Sequence, residues 1–201
     1  MGASQHNIDF TNSVRGVAIK HLQETFTTFR LGTWEEDVKE NTDFMLVCDI
    51  DRNTRFGYRS RTYQFRKYVG EFTIRSKTAY GGTNTELHKI RQGFGDFMFY
   101  GHVDKAGTDY EAWMVIDLQK LRQFWSCVQH WESYIGAAGI TNQLNGDEFC
   151  AFTFGRNVPP EVIAYGPVLH GLDVVTYWGE RTLEGIKKGH YKAWLKQGTL
   201  F

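Results

Sequence analysis

Three cysteines, Cys48, Cys127 and Cys150, lie far apart along 201 residues. Their odd number and spacing exclude a disulfide framework or a zinc knuckle, and each sits in an apolar context that suits a small core residue. A reducing, cytoplasmic setting is the expectation. Residues 1–12 are polar, so no secretory signal is expected. No stretch approaches the roughly 18 apolar residues of a membrane span. Net charge is also missing: 23 Lys and Arg stand against 23 Asp and Glu. Coating of nucleic acid by bulk positive charge is thereby disfavoured. No Gly-x-Ser-x-Gly elbow, Gly-x-Gly-x-x-Gly or P-loop pattern occurs. The histidines His102, His130, His170 and His190 are isolated and show no ligand spacing.

Rings are plentiful, with 15 Phe, 10 Tyr and 6 Trp. They supply core for one domain of this length. Asn12 or Ser13 fits a helix cap, and Val14, Val17, Ala18, Leu22, Phe26 and Phe29 form one apolar stripe, predicting a helix to about residue 29. Thr33 with Glu36 fits a capping box for a short helical turn. Strands are expected over Phe44–Cys48, Phe56–Thr62 and Val69–Ser76. A helix capped by Asn84 or Thr83 and closed by Gly93 follows. Strands at 97–102 and 113–116 and a helix at 118–129 come next. In the tail, 149–154 reads as a strand and 182–196 as a helix. The expected fold is α/β, with a mixed central sheet flanked by helices. Residues 1–130 form the core and 131–201 a C-terminal extension packed on it.

Two constellations carry chemistry. Glu24 on the first helix, Asp43 at the first core strand and Glu71 on the third come from separate elements. They are the candidate ligands of a hard cation such as Mg²⁺ or Mn²⁺, which binds through oxygen and activates water. The second is basic: residues 51–77 hold eight basic side chains against Asp51 and Glu71, a net of +6. Phe56, Tyr58, Tyr63, Phe65, Tyr68 and Phe72 are interleaved with them. Arginine forks and ring faces suit phosphates and bases. Residues 34–43 carry five acids against Lys39, so a neutral chain is strongly polarised. Glu86 and Lys89, three apart on the second long helix, are candidate neighbours of the acidic site.

The order helix, three strands, helix, strand (αβββαβ) resembles the restriction-endonuclease-like PD-(D/E)xK nuclease superfamily, including phage and bacterial members. The motifs that carry the likeness are Thr33-Trp34-Glu35-Glu36-Asp37, Thr42-Asp43-Phe44, Arg59-Ser60-Arg61, Phe72-Thr73-Ile74-Arg75 and Thr85-Glu86-Leu87-His88-Lys89-Ile90. They span about residues 13–125. The resemblance implies metal-dependent hydrolysis of DNA, with Asp43 as the motif's first acid. It leaves two registers open for the second half. Gly57-Tyr58-Arg59 lacks the acid and replaces lysine by arginine, whereas Glu71-Phe72-Thr73 keeps the acid and replaces lysine by threonine. Asp43, Glu71 and Lys89, the last as a migrated lysine, are then the catalytic candidates, with Arg59, Arg61 and Arg75 on phosphates. The alternative is a catalytically degenerate fold that binds DNA or a host or phage protein. A homodimer is compatible with either, and a membrane partner is not expected.

Overall fold

The computed structural model describes residues 5–25, 29–40, 42–46, 54–68, 70–80, 82, 84–142, 146–154, 156–165, 168–169 and 172–173. The expected helix at 182–196 and Cys48 lie outside them.

Helix α1 runs Gln5–Thr25. It starts well before Asn12, and Ser13 is a mid-helix residue whose hydroxyl donates back to the Phe10 carbonyl at 2.8 Å. Its apolar stripe is as predicted: Val14, Ala18 and Leu22 are buried. The predicted continuation to residue 29 does not occur. Phe29–Leu31 is instead a short strand, β1, antiparallel to β2 (Phe44–Leu46). Helix α2, Trp34–Glu40, lies between them and opens on the expected capping box. Thr33 N–H donates to Glu36 Oε2 at 2.7 Å, and Glu36 N–H to Thr33 Oγ1 at 3.3 Å. Gly32 permits this turn, because a β-carbon there would sit 2.1 Å from the Thr42 carbonyl oxygen.

β3, Thr54–Arg61, pairs antiparallel with β2. A 3₁₀ turn follows at Tyr63–Tyr68, then β4, Glu71–Lys77. Helix α3, Glu86–Arg91, is capped by Thr85, one or two residues after the predicted cap. β5 (Phe97–Val103) joins β3 in parallel. β6 (Tyr110–Asp117) returns antiparallel to β5. Asp117 caps helix α4, Leu118–Ser126, by accepting from Lys120 N–H. Helix α5 (Trp131–Ala137) and strands β7 (Ile140–Asn142), β8 (Glu148–Thr153) and β9 (Ile163–Tyr165) follow. A small hairpin pairs Val168–Leu169 with Leu172–Asp173.

The strands divide into a six-stranded mixed sheet, ordered β1-β2-β3-β5-β6-β9, and a three-stranded antiparallel sheet, β4-β8-β7. The α/β architecture with a mixed sheet is therefore as expected. Two neighbours in the large sheet, β3 and β5, are separated in sequence by β4, which pairs in the small sheet instead. Alternation along β3 and β5 sends side chains to two cores. Phe44, Phe56, Tyr58 and Phe99 pack with Val14, Ala18 and Leu22 of α1. Met98 and Tyr100 pack on the other face with Phe72, Ile74, Leu121, Phe124, Tyr134 and Phe152. This second cluster draws on both sides of residue 130, from Phe72 and Ile74 of β4 to Cys150 and Phe152 of β8 and Ile163 of β9. Trp125 is buried within it and Trp131 packs against it, while Cys150 is fully buried.

Candidate functional site

Asp43 stands one residue before the Phe44–Phe56 pair, so Gly57 lies opposite it across β2 and β3. Its N–H donates to the Phe56 carbonyl at 2.8 Å, and its own carbonyl accepts from Gly32 N–H at 2.8 Å. The side chain takes over where the ladder ends: Oδ2 accepts from Tyr58 N–H at 2.7 Å. Gly57 leaves the space beside this carboxylate without a side chain. Arg15 of α1 approaches Oδ1 at 3.5 Å, too long for a strong ion pair, and its guanidinium lies over the Tyr58 ring. Burial, followed by the repulsion of Asp37, pushes the Asp43 carboxyl up to about 7; Glu86 adds to the same effect. The Tyr58 N–H and Arg15 oppose it.

Glu86 opens α3 and reaches β3 and β4. Its Oε2 accepts from the Arg59 guanidinium in a very close contact and from Arg75 N–H at 3.1 Å. Oε1 takes no hydrogen bond among the described residues. Lys89, one helical step along the same face, donates from Nζ to the Asp37 and Val38 carbonyls and so ties α3 to α2. Burial lowers the Lys89 ammonium, while Asp37, Glu86 and Asp43 hold it up. Asp37, Asp43, Glu86 and Lys89 thus share one electrostatic neighbourhood, built by α2, the start of β2 and α3.

Glu71 is not part of it. It lies on β4 in the small sheet, where its Oε2 accepts from Thr153 Oγ1 at 3.4 Å. Burial raises its carboxyl, and its charged neighbours are Arg61 and Arg156. The charges around Asp43 are different ones, Asp37, Arg15 and Glu86, and β4 pairs in the small sheet while β2 lies in the large one. Glu24 belongs to α1, and its side chain is outside the described residues. Among the described residues, no group of three or more His, Cys, Asp or Glu side chains is placed to hold a metal ion.

The three candidate phosphate-binding arginines have separate fates. Arg59 is held by Glu86 and lies over the Phe149 ring. Arg61 points between the sheets, donating from Nε to Tyr100 Oη at 2.9 Å and from Nη2 to Thr73 Oγ1 at 2.7 Å. Arg75 is the most exposed of the three, 3.5 Å from Asp147. Arg15 and Asp37 were not signalled as site residues by the sequence. Asp37 follows from the capping box that orients α2, but Arg15 has no local signal, because only the packing of α1 brings it to β2.

His102 on β5 is 3% exposed, and among the described residues neither ring nitrogen has a hydrogen-bond partner. Burial and the adjacent Arg61 push its imidazole down to about 4. None of the helices among the described residues is long and apolar enough to cross a membrane. No family model, curated protein or solved structure matches this chain.

Proposed function

We propose that the chain hydrolyses DNA phosphodiesters with the help of a divalent cation, on a core related to the PD-(D/E)xK nucleases, and that Asp43, Glu86 and Lys89 are its working groups. The observation that carries this reading is the half-buried Asp43 carboxylate opposite Gly57, in the combined field of Asp37, Glu86 and Lys89. The order of elements supports it. α1 precedes the antiparallel succession β1, β2, β3; α3 follows; and β5 joins β3 in parallel. That succession favours the register in which Gly57-Tyr58-Arg59 faces Asp43, with β4 as an insertion. The acid absent at Gly57 is then supplied by Glu86, which is bonded to Arg59 in the lysine position.

Mg²⁺ takes one or two protein carboxylates and keeps several waters. Asp43 and Glu86 offer two carboxylates from separate elements, with the charge of Glu86 adding to the rise of the Asp43 carboxyl. A bound cation supplies water activation and polarises a phosphoryl oxygen. The chain's own groups do the rest. Lys89 presents positive charge toward a phosphate, Arg59 fixes Glu86, and Asp43 becomes available as a carboxylate as pH rises through about 7.

The test is cleavage of duplex, single-stranded and branched DNA with Mg²⁺ or Mn²⁺. Activity that falls at least 100-fold in Asp43→Asn and in Glu86→Gln supports the reading. Absence of metal-dependent cleavage on all three substrates overturns it.

One observation favours a second reading. Arg59 neutralises Glu86, and Lys89 is engaged by backbone carbonyls, so the centre is closed on itself. This suits a catalytically silent relative that binds DNA or a host protein. A thermal shift with Mg²⁺ that vanishes in Asp43→Asn favours the enzyme. No shift, with a protein that co-purifies, favours the binder.

A further inference from the structure

We infer that the 3₁₀ turn Tyr63–Tyr68 is a platform for single-stranded DNA. This deepens the DNA-processing reading by naming the surface that meets the strand, and it takes the choice of nucleic acid from that reading. The turn reads Tyr-Gln-Phe-Arg-Lys-Tyr, and none of its six side chains is buried. None belongs to either core cluster. In a 3₁₀ helix, side chains three apart eclipse one another. Tyr63 and Arg66 therefore share one ridge, Phe65 and Tyr68 a second, and Gln64 and Lys67 a third.

The turn sets cations against rings, the combination that a polyanion carrying planar bases requires. The Arg66 guanidinium lies over the Tyr63 ring at 4.7 Å. The Lys67 ammonium lies over Tyr68 at 4.9 Å, and Arg61 lies over Phe65 at 5.2 Å from beneath. Tyr68 is 42% exposed. A base stacks equally on a ring or on a guanidinium plane, while the paired cations meet phosphates.

Charge selects this turn over the rest of the basic segment. Residues 54–68 hold Arg55, Arg59, Arg61, Arg66 and Lys67 and no acid. Arg55 is taken by Glu40 and Asp96, Arg59 by Glu86, and Arg61 by Tyr100 and Thr73. Arg66 touches Glu111 only at 3.4 Å and stays 53% exposed, and Lys67 makes no ion pair among the described residues. On β4, Arg75 and Lys77 are paired with Asp147 and Glu148 at 3.5 and 3.2 Å, so the turn's own cations for a ligand are the exposed Arg66 and Lys67.

The experiment uses the full chain carrying Asp43→Asn, in EDTA, so that binding is read without cleavage. Fluorescence anisotropy with a labelled 12-mer oligothymidylate, at two or more salt concentrations, measures affinity. Lys67→Glu and Arg66→Glu are each expected to weaken binding at least fivefold and to flatten the salt dependence by about 0.7 per lost phosphate contact. Tyr68→Ala is expected to weaken binding by about tenfold. Lys105→Glu, an exposed cation on the β5–β6 turn, is the control and leaves binding unchanged. Circular dichroism verifies that the variants fold. The inference is overturned if the turn variants bind as their parent does, if Lys105→Glu weakens binding as much as they do, or if a duplex competes as well as the single strand. Binding without any cleavage by the wild type leaves this platform standing and removes the hydrolytic reading. Cleavage without an effect of the turn variants does the reverse.

Discussion

The Arg59 guanidinium on β3 and the Glu86 carboxylate at the start of α3 form a close, mostly enclosed ion pair that joins the large sheet to the helix crossing above it. Glu86 also accepts from the backbone of β4, so one carboxylate links three elements. Removing Arg59 leaves a negative charge with one backbone N–H for company.

Arg59→Ala is therefore expected to cost about 3 kcal/mol of unfolding free energy. The double variant Arg59→Met, Glu86→Leu is expected to recover most of that loss, because an uncompensated charge costs more than a missing pair. Urea denaturation of the three proteins measures it.

Asp43 makes stability depend on pH in an unusual direction. Its folded carboxyl, at about 7, lies above the ordinary value of 3.8, so between these values the native state holds more protons than the unfolded chain. This contribution is full below about pH 4 and is lost as pH rises through 7, at about 1.4 kcal/mol per unit of pH within the window. Asp43→Asn keeps an acceptor for Tyr58 N–H and removes the titration. Denaturation between pH 5 and pH 8 should show a steeper fall in stability for the wild type than for the variant.

His102 acts oppositely. Its folded imidazole, at about 4, lies below the ordinary 6.5, so the unfolded chain takes up the proton first. Stability from this group is full above 6.5 and is lost as pH falls toward 4. His102→Phe should lose less stability between pH 7 and pH 5 than the wild type does. The ring C–H resonances of His102 should fail to titrate above pH 5 in the folded protein.

The buried relay from Trp125 to Tyr134 to Asn157 closes the second core. Trp125 Nε1–H donates to Tyr134 Oη at 3.0 Å, and that hydroxyl donates to the Asn157 carbonyl at 3.0 Å. Tyr134→Phe leaves both partners unpaired and is expected to cost about 1–3 kcal/mol, read as a drop in denaturation midpoint.

Much of the fold was legible where local rules govern. The capping box at Thr33 and Glu36 and the buried positions Val14, Ala18 and Leu22 of the first helix each depend on near neighbours, and each formed as read. β1 was missed because three residues carry too little pattern to be told from a helix end. The site was half legible. Asp43, Glu86 and Lys89 stood out by type and position, and the structure brings them together. Glu71 stood out equally by type, but its place depends on which strand β4 pairs with. That choice is made by Phe149, Cys150 and Phe152, almost eighty residues downstream.

Because β4 departs from the chain between two adjacent strands of one sheet and finds its mate in β8, a cut at residue 130 would strip Glu71–Lys77 of its only strand partner among the described residues. A shortened version ending there would bare Phe72 and Ile74 along a raw strand edge and invite self-association.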